Sequence, residues 1–259
     1  MNRQWAVALC IVIASALASL ASAGDLDRRL APDAILSSDA KVEGASIGEW
    51  TGRWWAWVYA QPIAPFLDPD GRICNMGQGG PVWFLAGTDG TFSPQRECVV
   101  PEDKYLLVPV INMVYREIDS KQPRRCVDMQ ADAAVNNDHL ISAVVLIDGK
   151  SVLDVSLHRV RSDGCFVLEH DEEGSEVHAA ADGYWLMLKP LSRGRHTLTI
   201  GANYGAPHED YGHMLQNFEY VLDIGGRTRM SQAPGRVVVP ASSEPENPAR
   251  EMTSLKYLQ

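Results

Sequence analysis

His208-Glu209-Asp210-Tyr211-Gly212-His213 is the densest group of reactive side chains in this chain: two imidazoles and two carboxylates within six residues. Such a loop could hold a divalent cation, or could supply general acid and base to a hydrolase or lyase. His208, Glu209, Asp210 and His213 are therefore the candidate catalytic residues. Their spacing does not place two ligands on one helical face, so it matches no helical zinc motif. A solvated polar loop is the competing reading. Glu169-His170-Asp171-Glu172-Glu173 is acidic but lacks the alternating oxygen ligands of an EF-hand, and reads as a charged hairpin tip. Gly77-Gln78-Gly79-Gly80 is followed by Pro81 and a strand pattern rather than by a helix N-terminus, so it reads as a tight turn and not a phosphate loop. No G-x-S-x-G or H-E-x-x-H motif is present. His158, His178 and His196 are scattered on expected strands, where a lone histidine is structural or solvated. No metal site and no cofactor is expected from these spacings.

Aromatic side chains are the second candidate. Trp50, Trp54, Trp55 and Trp57 fall within eight residues. Ser46 and Glu49 have capping-box spacing, and Pro62 closes the segment, so a helix is expected here. At about 100° per residue, Trp50, Trp54 and Trp57 share one face with Ile47 and Val58, which makes that face core. Trp55 lies off the stripe, with Tyr59 one turn later. This pair is the candidate ligand-binding element, as a platform on which the apolar face of a sugar could stack. The alternative is a helix buried on two sides.

The elements that position these residues are mostly strands. Val82–Gly87, Tyr105–Tyr115, Leu140–Ile147, Val152–Val160, Phe166–Glu169, Tyr184–Leu188, His196–Ile200 and Phe218–Ile224 carry strand patterns, and Val237–Val239 could add an edge. Asp148-Gly149 predicts a hairpin between Leu140–Ile147 and Val152–Val160. Pro109 predicts a bulge or an edge in the Tyr105–Tyr115 segment, because proline cannot donate to the ladder. Asp128–Asn137 is the one other helix expected in the body. The fold class is mainly β: an antiparallel β-sandwich or jelly roll with an N-terminal Trp-rich helix.

Arg53-Trp54-Trp55-Ala56-Trp57, the segment Gly77–Thr88 with its Pro81-Val82-Trp83-Phe84-Leu85-Ala86-Gly87 core, and the framing Cys74 and Cys98 resemble a group of uncharacterised exported bacterial proteins. Val108-Pro109-Val110-Ile111-Asn112, Asp182–Trp185 and Gly194–Thr197 are similar too. The resemblance spans most of Ser46–Ile224 and implies kinship without implying an activity.

Export is expected from the chain itself. Arg3, the apolar run Ala6–Leu20 and Ala21-Ser22-Ala23 form a signal peptide over residues 1–23, cleaved after Ala23. The run is too short to span a bilayer, and no later stretch does so. Residues 24–45 read as a flexible leader, 46–242 as a single β-sandwich domain including the helix, and 243–259 as a loose tail. Beyond the leader the cysteines are Cys74, Cys98, Cys126 and Cys165, an even count that predicts two disulfides in an oxidising compartment. Three pairings are possible. Cys74–Cys98 with Cys126–Cys165 is favoured, because each pair brackets a block of strands. The spacings contain no close C-x-x-C pair, which argues against zinc. A formal net charge of −10 repels phosphate backbones and argues against nucleic acid as a partner.

Together these features lead to a periplasmic or extracellular protein that binds a cell-envelope component or extracellular glycan without catalysis. The alternative is a carbohydrate-active hydrolase or lyase using the His208–His213 loop.

Overall fold

Ser46 and Glu49 cap each other's backbone: the Ser46 hydroxyl accepts from Glu49 N–H at 3.0 Å, and Glu49 accepts from Ser46 N–H at 2.9 Å. With these donors satisfied, a helix runs over Ile47–Tyr59. The computed structural model describes residues 34–117, 124–205 and 212–227. In chain order these form β1 (Lys41–Val42), β2 (Ala45–Ser46), α1 (Ile47–Tyr59), β3 (Val82–Phe84), β4 (Gln95–Val100) and β5 (Tyr105–Arg116). Next come α2 (Cys126–Ala134), β6 (Leu140–Ile147), β7 (Lys150–Ser151) and β8 (Arg159–Arg161). The last four strands are β9 (Phe166–His170), β10 (Glu176–Leu188), β11 (Gly194–Tyr204) and β12 (Met214–Ile224).

Two five-stranded sheets face one another. The first has the order β3-β5-β10-β8, with β9 also paired to β10. The second has the order β4-β12-β11-β6-β7. Leu106, Val108, Leu186 and Leu188 of the first sheet meet Leu198, Ile200, Phe218 and Leu222 of the second in one continuous core. The first sheet is covered on its other face as well, where Leu107, Val114, Trp185 and Met187 pack with the tryptophans of α1. Strands buried on both faces read as unbroken apolar runs, as β5 and the second half of β10 do. The second sheet keeps one face in water, so β4 and β12 alternate.

The mainly-β sandwich stands, with one qualification: β3–β5 and β4–β12 are parallel pairs in an otherwise antiparallel structure. The chain alternates between sheets from β3 to β4 to β5, which leaves β3 and β5 side by side and pointing the same way. Pro109 lies at a bulge, not an edge. Tyr184 pairs with Ile111 and Trp185 with Pro109, leaving Val110 unpaired in the middle of the first sheet.

Three expectations need correction. The Asp148-Gly149 turn forms with both residues at positive φ, but its second arm is only Lys150–Ser151. At Asp154 the chain adopts a left-handed conformation, passes through one 3-10 turn and enters the other sheet as β8, where Val155 and Val160 become buried. Residues 34–45, read as part of a flexible leader, pack on the body: Leu36 N–H donates to Met187 O at 2.9 Å and Val42 is buried. β4 is an element that the expected strands omit. Residues 24–33 and Val237–Val239 lie outside the described residues.

Both disulfides are as expected. Cys74–Cys98 ties the turn-rich crossing after α1 to β4, and Cys126–Cys165 ties α2 to the segment before β9. Gly48 and Gly52, one turn apart on α1, let it approach that segment: a Cβ at Gly52 would stand 3.0 Å from the Phe166 ring, and one at Gly48 2.1 Å from Asp163. No helix among the described residues is long and apolar enough to cross a membrane.

Candidate functional site

Helix α1 separates its tryptophans by hydrogen bonding. Trp50, Trp54 and Trp57 donate their indole N–H to Val42 O, Leu85 O and Met76 O at 3.1, 2.8 and 2.9 Å. The Trp55 indole N–H is buried with no acceptor among the described residues. Trp55 is only 7% exposed, so it is not the open stacking platform expected for it. The helix is enclosed on two sides, and Trp55 packs edge-on against Trp54 with ring centroids 4.9 Å apart. Tyr59 is half-buried with its ring 6.4 Å from that of Trp55. Burial raises the Tyr59 phenol pKa, while the nearby Arg116 opposes that rise.

Trp55 lines a small pocket of about 40 Å³ at one end of the sandwich. Trp54 and Trp55 come from α1, Asn112 and Met113 from β5, Tyr204 from β11, and Met214 and Gln216 from β12. Phe66 and the Gly87–Asp89 loop close it. Gln216 is buried and donates its Nε2 to the Tyr204 hydroxyl at 2.9 Å, which leaves Gln216 Oε1 without a partner. Asn112 Nδ2 is likewise buried and unpartnered. Three buried polar atoms without a partner among the described residues thus belong to residues that line this one pocket. Burial pushes the Tyr204 phenol up to about 12, keeping it neutral.

The pocket's walls depend on Arg96, which is buried in β4 and makes no ion pair among the described residues. Its guanidinium donates to the carbonyls of Phe66, Asp68, Ala86 and Gly87 at 2.7–3.1 Å and to the Tyr220 hydroxyl at 3.0 Å. One side chain thus holds Phe66 and Gly87 in place. Arg96 shares the inward face of β4 with the apolar Cys98 and Val100, and a charge on the inward side of a strand pattern was the signal that could have found it. Asn112, Tyr204 and Gln216 carried no such signal, since each is an ordinary strand residue far from the others in sequence.

A second and larger concavity of about 480 Å³ crosses the open face of the second sheet. Ser142 and Val144 of β6, Thr199 and Asn203 of β11, and Leu215 and Asn217 of β12 line it. Its surface mixes hydroxyls and amides with two apolar side chains, Val144 and Leu215, that are more than half exposed.

His208, Glu209 and Asp210 lie outside the described residues. His213 is exposed just before β12. No group of three or more His, Cys, Asp or Glu side chains among the described residues could hold a metal. His196 is structural: Nδ1 lies 2.7 Å from Asp148 Oδ2 and Nε2 lies 2.8 Å from Ser192 O, joining two turns. Gln78 explains the glycine-rich turn, because its side-chain amide bonds Phe84 N–H and C=O together with Cys74 O. No family, curated protein or solved structure matches the chain.

Proposed function

We propose that this is an exported protein, related to the uncharacterised exported group its motifs resemble, that binds a cell-envelope component or extracellular glycan without chemical change. The groove on the open face of the second sheet is the observation that carries the reading. Its volume of about 480 Å³ falls within the size range of small-ligand clefts. Sugars present hydroxyls that both donate and accept, beside apolar C–H faces. Ser142, Thr199, Asn203 and Asn217 offer matching partners, and Val144 and Leu215 offer apolar contact. Export is supported by the leader at residues 1–23 and by two disulfides in the folded body.

The test is incubation of the protein with bacterial and plant glycans, scoring retention and product formation with and without chelator. Retention without product is expected, and Asn217→Ala should weaken it at least tenfold. Product formation would instead support the hydrolase or lyase reading. Retention unaffected by Asn217→Ala would move binding away from the groove.

A further inference from the structure

We infer that the groove on the second sheet selects glycans that carry free amino groups, chains of the glucosamine type, with Glu219 as their counter-charge. This rests on the groove reading above and names the ligand class within it. Gly201 is what opens the groove. It lies in the middle of β11, in register with Val144 of β6 on one side and Asn217 of β12 on the other. Ile200 and Ala202 beside it are buried, so position 201 faces the open side of the sheet. The floor between Thr199 and Asn203 is therefore bare backbone. The fold does not call for glycine there. Its φ is not in the left-handed region, and an added Cβ would meet one atom, Asn217 Oδ1, at 3.1 Å. Glycine weakens a strand interior, and one without a local need marks a place where another molecule approaches the backbone closely.

Charge sets the class of guest. Glu219 is the one charged residue that lines the groove. Its Oε2 accepts from Gln95 Nε2, a neutral donor, at 3.2 Å, and no cation pairs with it among the described residues. Arg195 shares the outward face of β11 but already holds Glu97 at 3.1 Å. A uronic acid or phosphorylated chain would bring a second anion beside Glu219 with no cation to receive it. A neutral chain would leave that carboxylate to water. A protonated ring amine gives it a partner, while Val144 and Leu215 still meet the sugar's C–H face and Ser142, Thr199 and Asn217 its hydroxyls.

Calorimetric titration of the full protein tests this with three β-1,4-linked trimers: glucosamine, its fully N-acetylated form, and glucose. The glucosamine trimer should bind about three- to fivefold more tightly than the other two, the size of a solvent-exposed ion pair, and the margin should vanish in about 1 M salt. Glu219→Gln should remove the margin and leave the neutral trimers unchanged. Gly201→Val fills the floor without altering charge and should abolish binding of all three. Val144→Lys, at a position more than half exposed, should weaken the glucosamine trimer more than the neutral ones. Equal affinity for the three trimers overturns the inference and leaves the groove as a neutral-glycan site. Undiminished binding of the glucosamine trimer to folded Gly201→Val overturns it in favour of diffuse attraction to an acidic protein. Absence of binding by any trimer overturns it together with the groove reading.

Discussion

At the scale of single residues, hydrogen bonding divides an aromatic cluster that hydrophobicity treats as one. Trp54 is 1% exposed and its N–H is bonded to Leu85 O at 2.8 Å. Trp54→Phe removes buried surface and leaves that carbonyl without its donor, which together should cost about 3 kcal/mol. Trp55→Phe removes similar surface but no protein hydrogen bond, and should cost about 1 kcal/mol. Denaturant midpoints of the two variants provide the comparison, and equal losses would show that the indole bond is not what separates them. Asp182 presents a different asymmetry. Its fully buried carboxylate meets Arg159 Nε at 3.0 Å, Arg161 Nε at 2.8 Å and Asn137 Nδ2 at 3.0 Å. The arginines are partly exposed, so after Asp182→Asn they can turn to water. After Arg159→Ala the carboxylate stays buried with one cation fewer. Arg159→Ala should therefore destabilise by about 3 kcal/mol and Asp182→Asn by about half as much, read from unfolding curves.

At the scale of elements, what was legible in the sequence depended on how many faces an element buries. The capping box fixed the start of α1, and the stripe Trp50-Trp54-Trp57 fixed its core face, because both are local patterns. β5 was visible as an unbroken apolar run and β12 through its alternation. β7 failed where local pattern and tertiary path disagree: Val152–Val160 reads as strand, yet Val155 and Val160 are buried by crossing to the other sheet. β4 was hidden by its charges, Arg96 and Glu97, one turned inward and one outward. The Trp55 pocket was half legible. Aromatic density exposed its helix wall, but its polar wall draws on three strands, and nothing local marks Asn112 or Gln216. Arg96 binds these elements together by sharing its charge among four carbonyl oxygens and the Tyr220 hydroxyl. Lysine has neither the planar fork nor the reach to replace five such bonds. Arg96→Lys should destabilise by roughly 3 kcal/mol, since Phe66 and Gly87 lose their tether. A variant of wild-type stability by calorimetry would refute that role.

At the scale of the whole molecule, two of the phenols in the inter-sheet core, Tyr204 and Tyr220, must stay neutral for the sheets to remain packed. Tyr220 is fully enclosed, with its hydroxyl donating to Ala86 O at 2.9 Å, and burial raises its pKa against the opposing influence of Arg96. Tyr204 is raised from 10.0 to about 12 by the same cause. The unfolded chain gives up the Tyr204 proton from about pH 10, while the folded protein keeps it to about pH 12. Across that window the unfolded state binds fewer protons, so stability falls as pH rises. The stability is present in full below about pH 10, and Tyr204 alone removes about 2–3 kcal/mol by about pH 12. Tyr220 acts in the same direction. Phenolate absorbance should accordingly rise in two stages, with exposed tyrosines titrating reversibly and the buried pair appearing only with unfolding. Tyr204→Phe should delay the alkaline transition, at the expense of its bond to Gln216 near neutrality. Ionisation of every tyrosine in one reversible step, with circular dichroism unchanged, would show that the inter-sheet core admits water.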